Sequence, residues 1–161
     1  MNILLLEARG LGQFDDASLI HALASPPLDE QTWCSMDSAL LNDYNQFYGL
    51  QFSGVDRHLT LIESTGERIT LQAFVPNDRE IQAWALVCHG YYDHVGLYGH
   101  LINDLLERDI AVMSFDQPGH GLSTGDRANI DNFQRYVDVI RVVHKFAVKS
   151  ALDKPLHWFG Q

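Results

Sequence analysis

Hydrophobic and polar residues follow two different periods along this chain, and the change falls near residue 57. In the first part, apolar side chains recur at helical spacing. This spacing predicts two short helices, over residues 15–24 and 37–48, with Asp37 placed to cap the second. Pro26-Pro27 separates them, since proline cannot continue a helix. We therefore expect a short helical extension at the start of the chain.

The pattern from residue 57 onward is that of strands and longer helices. Two β-rich runs, residues 57–64 and 68–76, flank Thr65-Gly66 and predict a hairpin. Three compact apolar runs then alternate with two amphipathic helical patterns, in the order 83–88, 98–108, 110–115, 130–149 and 156–159. Buried strands that alternate with amphipathic helices predict an α/β fold, with a parallel sheet covered on both faces.

Charge divides the chain at the same place as the hydrophobic pattern. The chain has 161 residues and a formal net charge of −10. Residues 1–56 carry one basic and eight acidic residues, whereas residues 57–161 carry ten and thirteen. This predicts an acidic helical extension over 1–56 and a folded domain, or part of one, over 57–161. The acidic balance argues against nucleic acid and anionic membrane surfaces as partners.

No part of the sequence is typical of a membrane or secreted protein. No stretch approaches the roughly 20 apolar residues that span a bilayer. The apolar start at residues 3–6 is too short for a signal sequence and runs into Glu7, so we expect a cytoplasmic protein without an integral membrane segment. Cys34 and Cys88 fit neither a disulfide framework nor a metal site. Nothing requires a cofactor, and the oligomeric state is not indicated.

The residues that follow each predicted parallel strand are the ones placed to bind a ligand. After the first strand comes His89-Gly90-Tyr91-Tyr92-Asp93-His94. The second is followed by residues 116–125, which contain three glycines, and the third by Gly160-Gln161. These turns carry most of the candidate chemistry.

Two of these turns resemble motifs of the α/β-hydrolase superfamily. The first reads H-G-x-x-D-H-x-G-x-Y and the second D-x-P-G-H-G-x-S-x-G. They are similar to loops of the branch that contains monoglyceride lipases, lysophospholipases and serine aminopeptidase-like hydrolases. The resemblance covers about residues 57–161. It implies the amino-terminal part of an α/β-hydrolase fold, namely a β-hairpin and then parallel strands with flanking helices.

The resemblance also gives a meaning to Gly160 and Gln161. They match the first two positions of the nucleophile elbow, G-x-S-x-G, so the next residue is expected to be the nucleophilic serine. In the family, the catalytic acid and the histidine base come later still. The resemblance thus implies that the Ser/Asp/His triad is absent from this chain, which we expect to be a truncated and inactive piece.

Family resemblance assigns the catalytic contribution of this chain to Tyr91, whose backbone N–H would line the oxyanion hole. The loop residues expected to support it are His89, Gly90, Asp93 and His94. A further set is expected to form a hydrogen-bonded turn beside the elbow: Asp116, Gly119, His120, Gly121 and Ser123. These include triad-type residues, but a working triad joins separate segments of the chain, and these lie in one tight turn.

The implied reaction is hydrolysis of a carboxylic ester through an acyl-enzyme. The family's substrates point to a monoacylglycerol or a lysophospholipid, and neither a cofactor nor a metal is implied. One alternative is a non-catalytic binding protein with the same fold. Another is a zinc hydrolase, because His89-x-Tyr91-x-Asp93-His94 differs by one residue from the metallo-β-lactamase ligand run. Tyr91 replaces a histidine that such a site needs.

Overall fold

The computed structural model describes residues 34–35 and 39–161, with side chains from residue 41 onward. Its elements are β1 (Cys34–Ser35), α1 (Ala39–Tyr48), β2 (Val55–Ser64), β3 (Glu67–Pro76), β4 (Ala83–Cys88), a 3₁₀ helix (Val95–Tyr98), α2 (Gly99–Leu106), β5 (Ile110–Phe115), α3 (Gln134–Ala151) and β6 (Leu156–Gly160). The helix predicted over residues 15–24 and the cap predicted at Asp37 lie outside the described residues.

The described strands form one mixed sheet in the order β1-β2-β3-β5-β4-β6. The first four strands in this order pair antiparallel, and β5, β4 and β6 pair parallel. Helices α2 and α3 make the crossovers that parallel neighbours require. The predicted hairpin, followed by parallel strands with flanking helices, is confirmed.

The sheet separates two apolar cores because alternate residues of each strand face opposite sides. On β2, Leu59 and Leu61 face the core beneath α1 and α2, whereas Ile62 faces the core beneath α3. Tyr44 of α1 is buried in the first of these cores. Helix α1 therefore packs on the sheet, while the domain boundary at residue 56 stays a prediction.

Two helices begin at other residues than the sequence pattern predicts. The segment expected as a helix from residue 98 opens with the 3₁₀ turn, in which the His94 side chain accepts the Gly96 N–H. The helix expected from residue 130 begins at Gln134, whose N–H is accepted by the Asn132 side chain at 2.8 Å. Both side chains satisfy backbone donors that a helix start leaves open.

The prediction that residues 156–159 form a buried strand is wrong. Strand β6 is present, but only Leu156 is partly buried and the other residues of the strand are exposed. Among the described strands it pairs with β4 alone, so it lies at the edge of the sheet. An apolar run predicts a strand but does not distinguish a central strand from an edge strand.

Within residues 39–161, none of the helices has the length and the apolar character needed to cross a bilayer.

Candidate active site

The turns that follow the three parallel strands all lie at the carboxyl ends of those strands, on one side of the sheet. In register, Cys88 at the end of β4 is opposite Phe115 of β5 and Gly160 of β6. The residues that follow each strand therefore emerge at the same level. This is the edge at which open α/β sheets bind their ligands.

His89 joins the first of these turns to the second. Its Nδ1 lies 2.8 Å from the carbonyl oxygen of Gly90, and its Nε2 lies 2.9 Å from the backbone nitrogen of Gln117. Since the amide N–H only donates, Nε2 accepts and Nδ1 carries the proton. Burial, helped by the charge of nearby His120, lowers the pKa of His89. The neutral imidazole thus forms hydrogen bonds to both loops.

The hydroxyl of Tyr98 joins the first turn to the third. Its oxygen accepts the Gly90 N–H at 3.1 Å. The same oxygen lies 3.0 Å from Asp93 Oδ2 and 2.9 Å from Gln161 Oε1, and its single proton can be donated to either. One side chain therefore sets the position of the loop relative to the end of β6.

Tyr91 projects from this loop with its ring half exposed. Its hydroxyl donates to the carbonyl of Ala128 at 2.8 Å, and its ring lies against that of His120 with centroids 5.5 Å apart. The Gly90 N–H is taken by Tyr98, whereas the Tyr91 N–H has no hydrogen-bond acceptor among the described residues. This backbone donor, in the loop that follows β4, therefore has no acceptor within the described part of the protein.

Asp116 organises the second turn from a fully buried position. One carboxylate oxygen accepts the Val95 N–H and the other accepts the Leu122 N–H, both at 2.8 Å. Burial raises the pKa of Asp116, while the charge of His94 and these hydrogen bonds oppose that rise. Gly121 is required here, because a Cβ atom would lie about 2.3 Å from the Asp116 carboxylate and φ is +47°.

The triad-type residues of this turn do not form a catalytic chain. Ser123 Oγ donates to the backbone carbonyl of Asp116 at 2.6 Å and accepts the Thr70 N–H at 2.9 Å. His120 Nδ1 lies 2.8 Å from the carbonyl oxygen of Pro118. Each of these side chains holds backbone groups, so their bonds are those of a structural turn. Gly119 has the left-handed φ of +72° that this turn requires.

The loop also lacks the arrangement that a zinc site needs. Both ring nitrogens of His89 are bonded to backbone groups, and the Tyr91 hydroxyl is a donor to a carbonyl. In the part of the chain that the structure describes, no three His, Cys, Asp or Glu side chains come together as metal ligands do. The metallo-β-lactamase alternative therefore has no support in the geometry.

The sequence pattern does not indicate that some residues of this region take part in the site. Thr70 lies on β3, yet its hydroxyl donates to the Leu122 carbonyl at 2.8 Å, across 52 positions of the chain. The backbone N–H of Gln117 donates to His89, and the backbone carbonyl of Ala128 accepts the Tyr91 hydroxyl. Ala128 also has an unusual φ of 48°. Such backbone contacts do not depend on residue type, so no motif reports them. Tyr98 stood in the first motif, and the structure shows what it touches.

Comparison with known proteins identifies similar chains. A family model described as serine aminopeptidase, S33, matches residues 79–161, just over half of the chain. The mouse (Mus musculus) monoglyceride lipase is 31% identical over 101 residues, which are 62% of this chain and 33% of that protein. A monoglyceride lipase homolog of Monkeypox virus is 37% identical over 70 residues, 43% of this chain and 25% of that protein.

Similar folds occur among solved structures. A highly thermostable carboxyl esterase from Bacillus coagulans, in complex with glycerol, aligns with a TM-score of 0.55. It is 19% identical, over 65% of this chain and 36% of that one. At this identity the likeness concerns the fold, and it confirms the amino-terminal part of an α/β-hydrolase fold. The chain spans about a third or less of the lipases that it matches.

Proposed function

Because the chain belongs to the serine aminopeptidase S33 family, an α/β-hydrolase family, we propose that it supplies the oxyanion side of an active site that hydrolyses carboxylic esters. The observation that carries the proposal is the open N–H of Tyr91 at the ligand-binding edge of the sheet. A fixed donor of this kind stabilises the negative charge of a tetrahedral intermediate. Removing one such donor costs roughly 3–4 kcal/mol of the barrier reduction.

The loop contacts support a preorganised donor. His89 holds the Gly90 carbonyl and the Gln117 N–H, and Tyr98 takes the Gly90 N–H. The peptide groups next to Tyr91 are therefore fixed before any substrate binds. A donor that needs no reorganisation during the reaction is the one that accelerates it most.

In the proposed mechanism, the serine that the elbow motif places after Gln161 attacks the ester carbonyl. The carbonyl oxygen becomes an oxyanion and accepts the Tyr91 N–H. Collapse of this intermediate breaks the bond to the alcohol, which leaves with a proton, and the acyl group stays on the serine. Water then attacks the acyl-enzyme and releases the acid. By the family pattern, the histidine base and its acid belong to later parts of the whole protein.

Monoacylglycerols or lysophospholipids are the proposed substrates. The monoglyceride lipases among the relatives support the monoacylglycerol, although the chain matches only part of their length, and the lysophospholipid rests on the resemblance of the motifs alone. The family description names an aminopeptidase instead. Esters and aminoacyl amides are therefore the two substrate classes to compare. We place the reaction in the cytoplasm as part of the same proposal.

Hydrolysis of p-nitrophenyl butyrate and of aminoacyl p-nitroanilides by the purified whole protein tests the proposal. We expect turnover of the ester and none of the anilides. The 161-residue chain is the matched control, and we expect it to be inactive because its described triad-type residues are bonded to backbone groups. Tight binding of the ester without turnover by the whole protein would instead favour a non-catalytic binding protein.

A further inference from the structure

A cleft of about 230 Å³ opens beside the proposed oxyanion loop, between α1 and the turn that follows β5. Its walls include Tyr44 and Tyr48 of α1, Tyr92, Asp93 and His94 of the loop, and Arg127 of the turn. Pockets for drug-sized ligands measure about 300–1,000 Å³, so this one has the size for a small headgroup and not for an acyl chain. Tyr92 and Asp93 directly follow Tyr91, which places the cleft next to the proposed reaction.

Aromatic rings form one wall of this cleft. The rings of Tyr44 and Tyr48 lie 4.8 Å apart between centroids, at an angle of 54°. The rings of Tyr48 and His94 lie 4.8 Å apart at 79°. Tyr92, with a φ of 70° and a side chain 73% exposed, presents its ring to solvent at the mouth. Tyr44 is buried and packs on Tyr48, so the ring faces that the cleft can offer to a ligand are those of half-buried Tyr48 and exposed Tyr92. The face of a tyrosine ring attracts a quaternary ammonium group.

Charges of both signs accompany the rings. Asp93 uses one carboxylate oxygen near the Tyr98 hydroxyl, and its other oxygen has no hydrogen-bond donor among the described residues. Arg127, on the turn after β5, is exposed and donates to the Gly121 carbonyl at 2.9 Å. A guanidinium binds phosphate oxygens in pairs. The cleft therefore presents an anionic group beside aromatic rings on one wall and a cationic group on the other.

We propose that this cleft binds the phosphocholine headgroup of a lysophospholipid. The trimethylammonium group lies against the rings of Tyr48 and Tyr92 and beside Asp93, and the phosphate contacts Arg127. This inference rests on the proposed function and deepens it, because it selects a zwitterionic lysophospholipid over a monoacylglycerol. Helix α1 lies outside residues 79–161, which the family model matches.

Titration calorimetry with glycerophosphocholine tests the inference on the 161-residue protein, after a cooperative thermal transition has shown it to be folded. We expect saturable binding of glycerophosphocholine, weaker binding of choline and no binding of glycerol. Tyr92→Ala is expected to weaken glycerophosphocholine binding about two- to fivefold, the effect of one exposed cation–π contact. Tyr92→Phe keeps the ring and is expected to bind as the original chain does.

Two further variants separate the two ends of the ligand. Arg127→Gln is expected to weaken glycerophosphocholine binding and to leave choline binding unchanged, whereas Asp93→Asn is expected to weaken both. Phe133→Ala is the matched control, since Phe133 is also 73% exposed but lies outside the cleft lining. It should bind like the original chain.

Three results would overturn the inference: no binding of glycerophosphocholine by the folded protein, equal binding of glycerol, or equal effects of Tyr92→Ala and Phe133→Ala. None of these measurements depends on ester turnover. Hydrolysis of esters by the whole protein without glycerophosphocholine binding would reject the headgroup site and leave the proposed function standing. Headgroup binding without any ester hydrolysis would reject the proposed function alone.

Discussion

The Tyr98 hydroxyl lies 2.9 Å from Gln161 Oε1, which joins the loop after β4 to the end of β6. The same oxygen accepts the Gly90 N–H, so it also fixes the peptide that precedes Tyr91. An oxyanion donor is effective only if its distance to the nucleophile is held constant. Tyr98 provides this restraint between the two turns from which the proposed donor and nucleophile would come.

Tyr98→Phe removes this restraint while keeping the ring. We expect the free energy of unfolding to fall by about 1–2 kcal/mol, because the Gly90 N–H and Asp93 each lose a partner. Amide hydrogen exchange at Gly90 should become faster. Tyr92→Phe is the control, since Tyr92 is exposed and its hydroxyl has no hydrogen bond within the described residues. Equal stability and exchange in the two variants would show that the Tyr98 hydroxyl restrains nothing.

His89 makes the stability of the protein depend on pH. Burial lowers its pKa in the folded state, so the unfolded chain binds a proton more readily. The stabilisation is therefore complete above the ordinary histidine pKa of about 6.5 and is lost as the pH falls below it. Chemical denaturation between neutral and acidic pH should show a steeper loss for the original chain than for His89→Gln.

The control for this titration is Val148→Gln, at an exposed position of α3 whose side chain does not ionise. It should keep the slope of the original chain. If His89→Gln keeps that slope as well, the neutral imidazole between Gly90 and Gln117 does not exist in solution.

Asp116→Asn replaces one of two carboxylate oxygens with a group that donates. The Val95 or the Leu122 N–H then loses its acceptor in a buried site, which should cost about 1–3 kcal/mol of unfolding free energy. Asp104→Asn, at an exposed position of α2, should cost almost nothing. Similar costs for the two variants would contradict the buried network.

The same variant reports the titration of Asp116. Its pKa is raised in the folded state, chiefly by burial, so its contribution to stability is complete below the ordinary value of about 3.9 and is lost as the pH rises through the folded value. The difference in stability between the original chain and Asp116→Asn should therefore shrink as the pH increases from about 4. A difference that grows with pH would contradict the raised pKa.

Strand β6 should cause self-association of the 161-residue chain. It is one of the two outermost described strands, and it exposes 42% of Trp158 and 36% of Phe159. An exposed apolar edge strand pairs readily with another chain. Trp158→Lys should reduce the larger species in sedimentation velocity, whereas Val148→Lys, at a similarly exposed position of α3, should not. A monodisperse original chain at all concentrations would contradict this expectation.

The sequence predicts well where the strands lie along the chain, because each apolar run is short, continuous and bounded by turn residues. Residues 83–88 and 110–115 are strands with those same bounds. The helix starts are less predictable, since His94 acts as a cap although imidazole is not a usual capping group. The exposure of β6 depends on what covers it, and no local pattern contains that information.

In the candidate site, too, the sequence predicts some features and not others. The resemblance to family motifs points to His89, Tyr91 and the turn at Asp116 as candidates, and their roles in a reaction stay predictions. It does not predict the contact between Thr70 and Leu122, which joins segments 52 positions apart. Contacts of that kind depend on the sheet register, which only the folded structure supplies.

The most direct test of the central claim is labelling with a fluorophosphonate, which reacts with an activated serine, followed by peptide mapping. In the whole protein we expect one labelled serine, directly after Gln161, where the elbow motif predicts it. The 161-residue chain, treated in parallel, should remain unlabelled. Labelling of Ser123, or no labelling of a whole protein that still hydrolyses esters, would contradict the account.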